Sequence, residues 1–237
     1  MKKNVLLTIL FLFSIVFVYS QDKGYIAFSI GPTIPLADFG SKDINNEAAG
    51  FATTKALYEI SFVQKFGKNL GLTLLVRGQA NGVHTDPLLN ELNVQYPDIP
   101  WAAENHNWGI YTALGGVYGS FPMGSGQLTL ETRAMAGYFQ ASSPEFKFSA
   151  FSNNIYYEVN TQSATAAAIG YLFGVGCRLG VGKHLCFLFN VDYLGSMPEF
   201  EDVLTYSRID ATFTDTYNTF KQQFGTVNVG VGIGWRW

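Results

Sequence analysis

Three histidines, His84, His106 and His184, are the only imidazoles in this chain of 237 residues and so its only side chains that ordinarily exchange a proton near neutral pH. His84 and His106 flank one long polar segment that also holds Asp86, Glu91, Asp98 and Glu104. Together His84, Asp86, Glu104 and His106 would make a metal or acid–base site. No ligand spacing joins them, so the segment reads as a solvated loop and no metal is assigned. Ser142 and Ser143 fall near the same end, yet nothing orders either serine against a histidine as nucleophilic catalysis requires. Gly174-Val175-Gly176 and Gly180-Val181-Gly182-Lys183 look superficially like a phosphate loop. That motif fails, because Cys177 stands where its first glycine belongs and His184 follows Lys183 instead of Ser or Thr. The chain is therefore read as non-enzymatic and without a cofactor.

Other chemistry-bearing residues follow a strict alternation. Lys55, Glu59, Arg77, Glu131, Arg133, Arg178, Asp192 and Arg236 each fall on the polar parity of a segment whose opposite parity is apolar. Lys55, Glu59 and Ser61 alternate with Ala56, Tyr58, Ile60 and Phe62. Thr73, Arg77 and Gln79 alternate with Leu70, Leu72, Leu74 and Val76. Glu131 and Arg133 oppose Leu128, Leu130 and Ala134, and Asn190 and Asp192 oppose Phe187, Phe189, Val191 and Tyr193. Charges of both signs enclosed on one face must pair, because an unpaired buried charge costs several kcal/mol. Cys177 shares a parity with Phe173, Val175 and Leu179, whereas Cys186 shares one with Asn190 and Asp192. Opposite faces of a sheet cannot be bridged without distortion, so two unpaired thiols are expected.

The elements that position these groups are strands of period two. We expect them at about 24–34, 51–65, 70–83, 108–121, 127–140, 164–181, 184–196 and 222–237. In the fourth, Ile110, Leu114 and Tyr118 define an apolar face that Tyr111 and Val117 blur. Residues 35–50, 84–107, 141–163 and 197–221 are long polar connections. Phe66-Gly67-Lys68-Asn69, Pro122-Met123-Gly124-Ser125-Gly126 and Gly182-Lys183 are tight turns. Long connections are uncommon in compact soluble domains, where about 4–6 residues suffice. Here they fall at every second connection, as in outer-membrane barrels with short periplasmic turns and long extracellular loops. The expected fold is all-β: an eight-stranded antiparallel up-and-down transmembrane β-barrel. A soluble sandwich or lipocalin-like barrel is the competing architecture.

Composition agrees. Charged residues make up 14% of the chain, against about 25% in typical soluble proteins. Net charge is −3, and no basic face suggests nucleic acid. Lys2 and Lys3, an apolar run from Val5 to Tyr19, and Ser20 before Gln21-Asp22 predict a secretory signal peptide over 1–20, with the barrel domain at 21–237. The run is short for the roughly 20 apolar residues of a membrane helix. Aromatics gather near strand ends in two groups. Tyr25, Phe62, Phe66, Tyr118, Phe121, Trp235 and Trp237 lie toward the periplasmic side. Phe51, Trp101, Trp108, Tyr138, Phe139 and Tyr193 lie toward the outside. These suit two interfacial girdles.

The stretch from Ile26 to Phe39, Gln21 at the mature start, the glycine-rich last strand and the final aromatic resemble the outer-membrane β-barrel proteins common in Bacteroidetes. The resemblance covers essentially the whole mature chain and implies residence in the outer membrane. Gly230, Gly232, Gly234, Trp235 and Trp237 are similar to the C-terminal signal read by the barrel assembly machinery, with Trp at the end in place of the more usual Phe. The same inward glycines would make room within a narrow barrel. Glu199, Glu201, Asp202, Asp210 and Asp215 make the last long connection acidic. Its alternating Phe213, Thr214, Asp215, Thr216 and Tyr217 suggest strands that continue past the membrane or a surface for a partner.

The expected function is a structural or protein-interaction role as an integral outer-membrane barrel, membership of an envelope complex included, without a large open pore. A narrow channel for small solutes and a lipid-modifying enzyme at the extracellular rim are the alternatives. Expected partners are outer-membrane lipid and lipopolysaccharide, the assembly machinery during insertion, and an envelope protein.

Overall fold

The computed structural model describes residues 24–124 and 127–237. The signal peptide expected at 1–20 lies outside these residues. The first half contains strands β1 (Gly24–Pro35), β2 (Ala52–Thr53), β3 (Lys55–Lys65), β4 (Leu70–Val83), β5 (Ala102–Asn105) and β6 (Trp108–Met123). The second half contains β7 (Leu128–Ser142), β8 (Phe146–Ser152), β9 (Ile155–Thr161), β10 (Thr165–Val181), β11 (Leu185–Ser196), β12 (Glu199–Ile209), β13 (Thr212–Lys221) and β14 (Phe224–Arg236). Two short helices, α1 (Ala37–Gly40) and α2 (Asp86–Gln95), sit in the first two long connections.

Eight of these strands close on themselves. The ladder runs β4–β3–β1–β14–β11–β10–β7–β6, and β6 pairs back to β4, so the sheet has no free edge along its length. Every pairing is antiparallel. The seam between the first and last strands pairs Tyr25 with Arg236 and Pro35 with Thr226. Closure satisfies the backbone groups that an open sheet would leave bare in hydrocarbon.

Parity then sets the two faces. Val76, Ile169, Phe173, Val175 and Val231 point outward, Ile169 with 79% of its surface exposed. Glu59, Arg77, Asp192 and Asn228 point inward and are almost completely buried. A continuous exposed belt of Ile, Leu, Val, Phe and Tyr around a charged interior is the reverse of a water-soluble barrel. It is stable only where lipid covers it.

The sixth strand of the chain corrects one expectation. Ile110, Leu114 and Tyr118 point into the barrel, and Tyr111 and Val117 are the ones that face out. The pattern misleads because this part of the interior is itself apolar: Ile110, Leu114, Leu75, Met135 and Leu172 belong to one buried cluster. The girdles are corrected for the same reason. Tyr25 and Tyr118 are interior residues in contact at 6.3 Å between ring centroids. Trp108 and Phe139 are buried with Phe39, Phe200 and Phe224 at the end where the long connections meet. Phe66, Phe121 and Trp235 at the turn end do face out, as does Tyr138 toward the opposite end.

The long connections are also more ordered than polar loops. Strands β13, β12, β9, β8 and β5, in that order, form a second, five-stranded antiparallel sheet beyond the barrel. The strand expected from residue 51 begins at Lys55. Ala52–Thr53 instead forms a short rung on β4, after Phe51 turns the chain with a φ of +50°.

Candidate functional site

The hairpin of β3 and β4 places Glu59 directly opposite Arg77, and the pair is then completed across the lumen. Arg77 Nε donates to Glu59 Oε2 at 3.0 Å, and its Nη2 reaches both Glu59 and Asp192, the latter at 2.6 Å. Arg133, from β7, donates to Asp192 Oδ1 at 2.8 Å and to Glu59 Oε1 at 2.9 Å. Each carboxylate therefore holds both guanidinium groups, and the four formal charges sum to zero. Gly174 makes the approach of Asp192 and Arg133 feasible. A Cβ there would lie 2.0 Å from Asp192 Oδ1 and 3.1 Å from Arg133 Cγ.

Nearer the tight turns a second cluster surrounds Glu131. Arg178 Nε donates to Glu131 Oε1 at 2.7 Å, and the Tyr25 hydroxyl donates to Oε2 at 2.8 Å. Tyr118 donates its hydroxyl to Oε1 as well, and the Arg178 guanidinium stands 5.3 Å from the centroid of the Tyr25 ring. Between the two clusters lies a cavity of about 10 Å³, lined by Tyr25, Tyr118, Glu131, Arg133 and Asn190. That is space for about one water molecule.

Six of the eight charged residues singled out in the sequence thus meet in two interior clusters. Lys55 and Arg236 do not join them. Lys55 is exposed at the long-loop end, where its Nζ is 2.6 Å from Asn107 Oδ1. Arg236 caps the other end, bonding the Gly182 carbonyl, with its guanidinium packed over Gly180. Tyr25 and Tyr118, expected in the periplasmic girdle, are interior residues, and their parity marks them as such. Tyr25 alternates in phase with Ala27 and Ser29, and Tyr118 in phase with Thr112 and Ser120. Gly230, Gly232 and Gly234 fall on the lumen parity of β14. Trp235 faces out and stacks on His184 at 4.8 Å, while Trp237 lies 5.7 Å from Phe62.

The histidines and serines at the long-loop end are not assembled. His84 Nδ1 is 3.5 Å from Asp86, and His106 Nδ1 is 3.6 Å from Glu145. Among the described residues no group of three or more His, Cys, Asp or Glu side chains is placed to hold a metal ion. Ser142 shares a hydrogen bond with Thr165, and Ser143 Oγ accepts the Ala164 N–H. Cys177 and Cys186 are both free thiols, Cys177 half-buried and Cys186 buried inside.

What the long connections build instead is a sheet and a cleft. On one face of the sheet Glu158 accepts the hydroxyls of Tyr156 at 3.0 Å and Tyr206 at 2.9 Å, and Asn160 bonds Glu145 at 2.9 Å. The hydrogen bond from Tyr206 to Glu158, reinforced by burial, holds the phenol above its usual range. Where the sheet meets the barrel, all four long connections surround a cleft of about 240 Å³. Phe51, Leu88, Trp108, Phe146, Val203 and Phe220 make its walls, with Glu47, Ser143 and Gln222 among them. Below it aromatic side chains pack at the barrel mouth: Trp108 against Phe224 at 5.3 Å, Phe139 against Phe224 at 5.3 Å, and Phe200 against Phe220 at 5.0 Å.

No protein-family model matches the chain, and no curated protein is similar to it in sequence. Among solved structures, it is similar to Ail, the attachment invasion locus protein of Yersinia pestis, at 13% identity and a TM-score of 0.42, over 91% of this chain and 99% of that one. It is also similar to Neisserial surface protein A, at 9% identity and a TM-score of 0.44, over 90% and 97% of the two chains. A major outer membrane protein from Thermus thermophilus aligns at 12% identity and a TM-score of 0.40, over 90% and 99%. The closed barrel is defined by this chain's own strand ladders.

Proposed function

We propose that the chain is an integral outer-membrane β-barrel with a closed lumen, whose role is structural or protein-binding and is carried by the sheet beyond the membrane. The observation that carries this reading is the filled interior. Two charge clusters and an aromatic layer leave only a water-sized cavity between the clusters. An eight-stranded barrel has an interior that side chains just fill, and here they do so with paired charges that would have to part for solute to pass.

The loop end is the extracellular end in this reading, and the three tight turns are periplasmic. The interaction role draws support from β13. From Thr212 to Thr219 its residues are all exposed, and it forms one edge of the five-stranded sheet. An edge strand presents unpaired N–H and C=O groups to which an extended segment of another protein can add. Lipid and lipopolysaccharide cover the outer belt. The glycine-aromatic end of β14 is the segment that the assembly machinery would read, on the resemblance set out above.

Conductance tests the closed lumen. Purified protein inserted into planar bilayers is expected to give no stable conductance of porin size. A stable, reproducible open channel of that size overturns the reading. Mild-detergent affinity purification from the native outer membrane tests the protein-binding role, which predicts a stoichiometric partner that is lost when residues 199–221 are replaced by a short turn.

A further inference from the structure

The cleft at the loop end is accounted for neither by the sealed lumen nor by the lipid-facing belt. Its volume of about 240 Å³ exceeds the roughly 150 Å³ of an apolar cavity that accepts benzene. One aromatic ring with a short substituent fits that space. The ring would meet Trp108, Phe146 and Phe220. The indole N–H of Trp108 is already donated to the Gly50 carbonyl at 2.9 Å, so the cleft receives apolar ring surface from that side chain.

The polar groups are asymmetric in charge. Glu47 is exposed on the cleft wall and has no ion-pair partner among the described residues. No Lys, Arg or His lines the cleft. The backbone supplies a separate observation. Phe51 holds a φ of +50°, a left-handed conformation that a bulky aromatic rarely adopts. It is fixed there because its N–H donates to Ser41 O at 3.1 Å and its carbonyl accepts the His84 N–H at 2.8 Å. Strained residues held in this way concentrate at functional positions such as ligand clamps. Here the strain sets an aromatic side chain into the cleft wall.

We infer that the cleft binds a small aromatic cation, with its ring between the aromatic walls and its ammonium group at the Glu47 carboxylate. The ring gains burial, and the ammonium gains a charge-assisted hydrogen bond that a neutral analogue lacks. The inference goes beyond the closed-barrel reading and stands apart from it: binding tests the one and conductance the other.

The test is calorimetric titration of the purified, folded barrel in zwitterionic micelles with 2-phenylethylammonium, with empty micelles as the blank. Parallel titrations use 2-phenylethanol and 3-phenylpropionate. Saturable binding is expected with a Kd on the order of 1 mM or tighter, as suits a ligand of about nine heavy atoms. Val203→Phe fills the cleft from β12 and is expected to weaken binding at least about tenfold, the loss of most of the ring contact. Ala49→Leu, on a connection outside the barrel, does the same if Val203→Phe fails to give the folded band on a gel. Glu47→Gln is expected to weaken the ammonium about threefold, the scale of an exposed ion pair, and to leave the alcohol unchanged. Heat no greater than that of empty micelles overturns the site. So does binding that survives both filling substitutions. Equal affinity for the phenylpropionate anion overturns the role of Glu47.

Discussion

Arg77→Leu is the sharpest perturbation of the interior. Arg77 is 2% exposed and touches both carboxylates of the four-residue cluster. Its removal leaves Glu59 and Asp192 sharing Arg133 alone, so a neutral cluster acquires one uncompensated negative charge. Breaking a buried ion pair by deleting one partner costs about 3–5 kcal/mol. Arg133 still bonds both carboxylates, which places the expected loss toward the lower end, about 3 kcal/mol. That corresponds to roughly a hundredfold or more in the folding equilibrium. The assay is equilibrium urea unfolding of the barrel in micelles or thin lipid vesicles, followed by tryptophan emission and by the heat-modifiable band on a gel. The paired variant Arg77→Leu/Glu59→Leu restores neutrality, with Arg133 and Asp192 still bonded. It is expected to recover about 2 kcal/mol of the loss, since the cost comes chiefly from the stranded charge. A single-variant loss below about 1 kcal/mol would refute the reasoning. So would a double variant whose loss is the sum of the two single losses.

Gly174→Ala is expected to cost about 1–3 kcal/mol, because its Cβ would collide with Asp192. Gly230→Ala, whose Cβ would meet Ser29 Cβ only at 3.7 Å, is expected to stay within about 0.5 kcal/mol of wild type; the same unfolding titration compares them. Maleimide labelling of the reconstituted barrel should leave Cys186 unmodified until unfolding, since it is buried in the lumen, while Cys177 on the lipid-facing parity reacts only with a membrane-permeant reagent; labelling of Cys186 in the folded state would contradict the inward placement. Tyr206 titrates above the usual tyrosine range of about 10. Its contribution to the outer sheet is therefore fully present below that range and is lost as pH rises through the higher folded value. Tyr206→Phe should abolish one late-titrating phenol in the alkaline absorbance curve, and an unchanged curve would count against the bond to Glu158.

Alternation alone located the barrel strands, because a strand with hydrocarbon on one side and packed polar groups on the other has little freedom in its residue types. The expected strand at 70–83 coincides with β4, and 164–181 differs from β10 by one residue. Glu59 and Arg77 were legible as inward charges for the same reason. Alternation could not orient β6, since the interior near Leu114 and Ile110 is as apolar as the lipid outside. Parity does set Tyr25 and Tyr118 inside, but their place near a strand end is also that of a girdle tyrosine, and their bonds to Glu131 appear only in the closed barrel.

The sequence by itself determined the number of barrel strands, the inward side of most of their charged groups, and the alternation of short and long connections. All of these follow from local periodicity and turn chemistry. Only the tertiary structure decided which charges meet. Arg133 and Asp192 come from β7 and β11, and neither strand pairs with the β3–β4 hairpin that holds Glu59 and Arg77. They converge because closing and tilting the sheet brings distant strands across a narrow lumen, and that distance is a property of the closed ring. The outer sheet and its cleft belong to the same category. Four polar connections become one site only when the barrel holds their ends together.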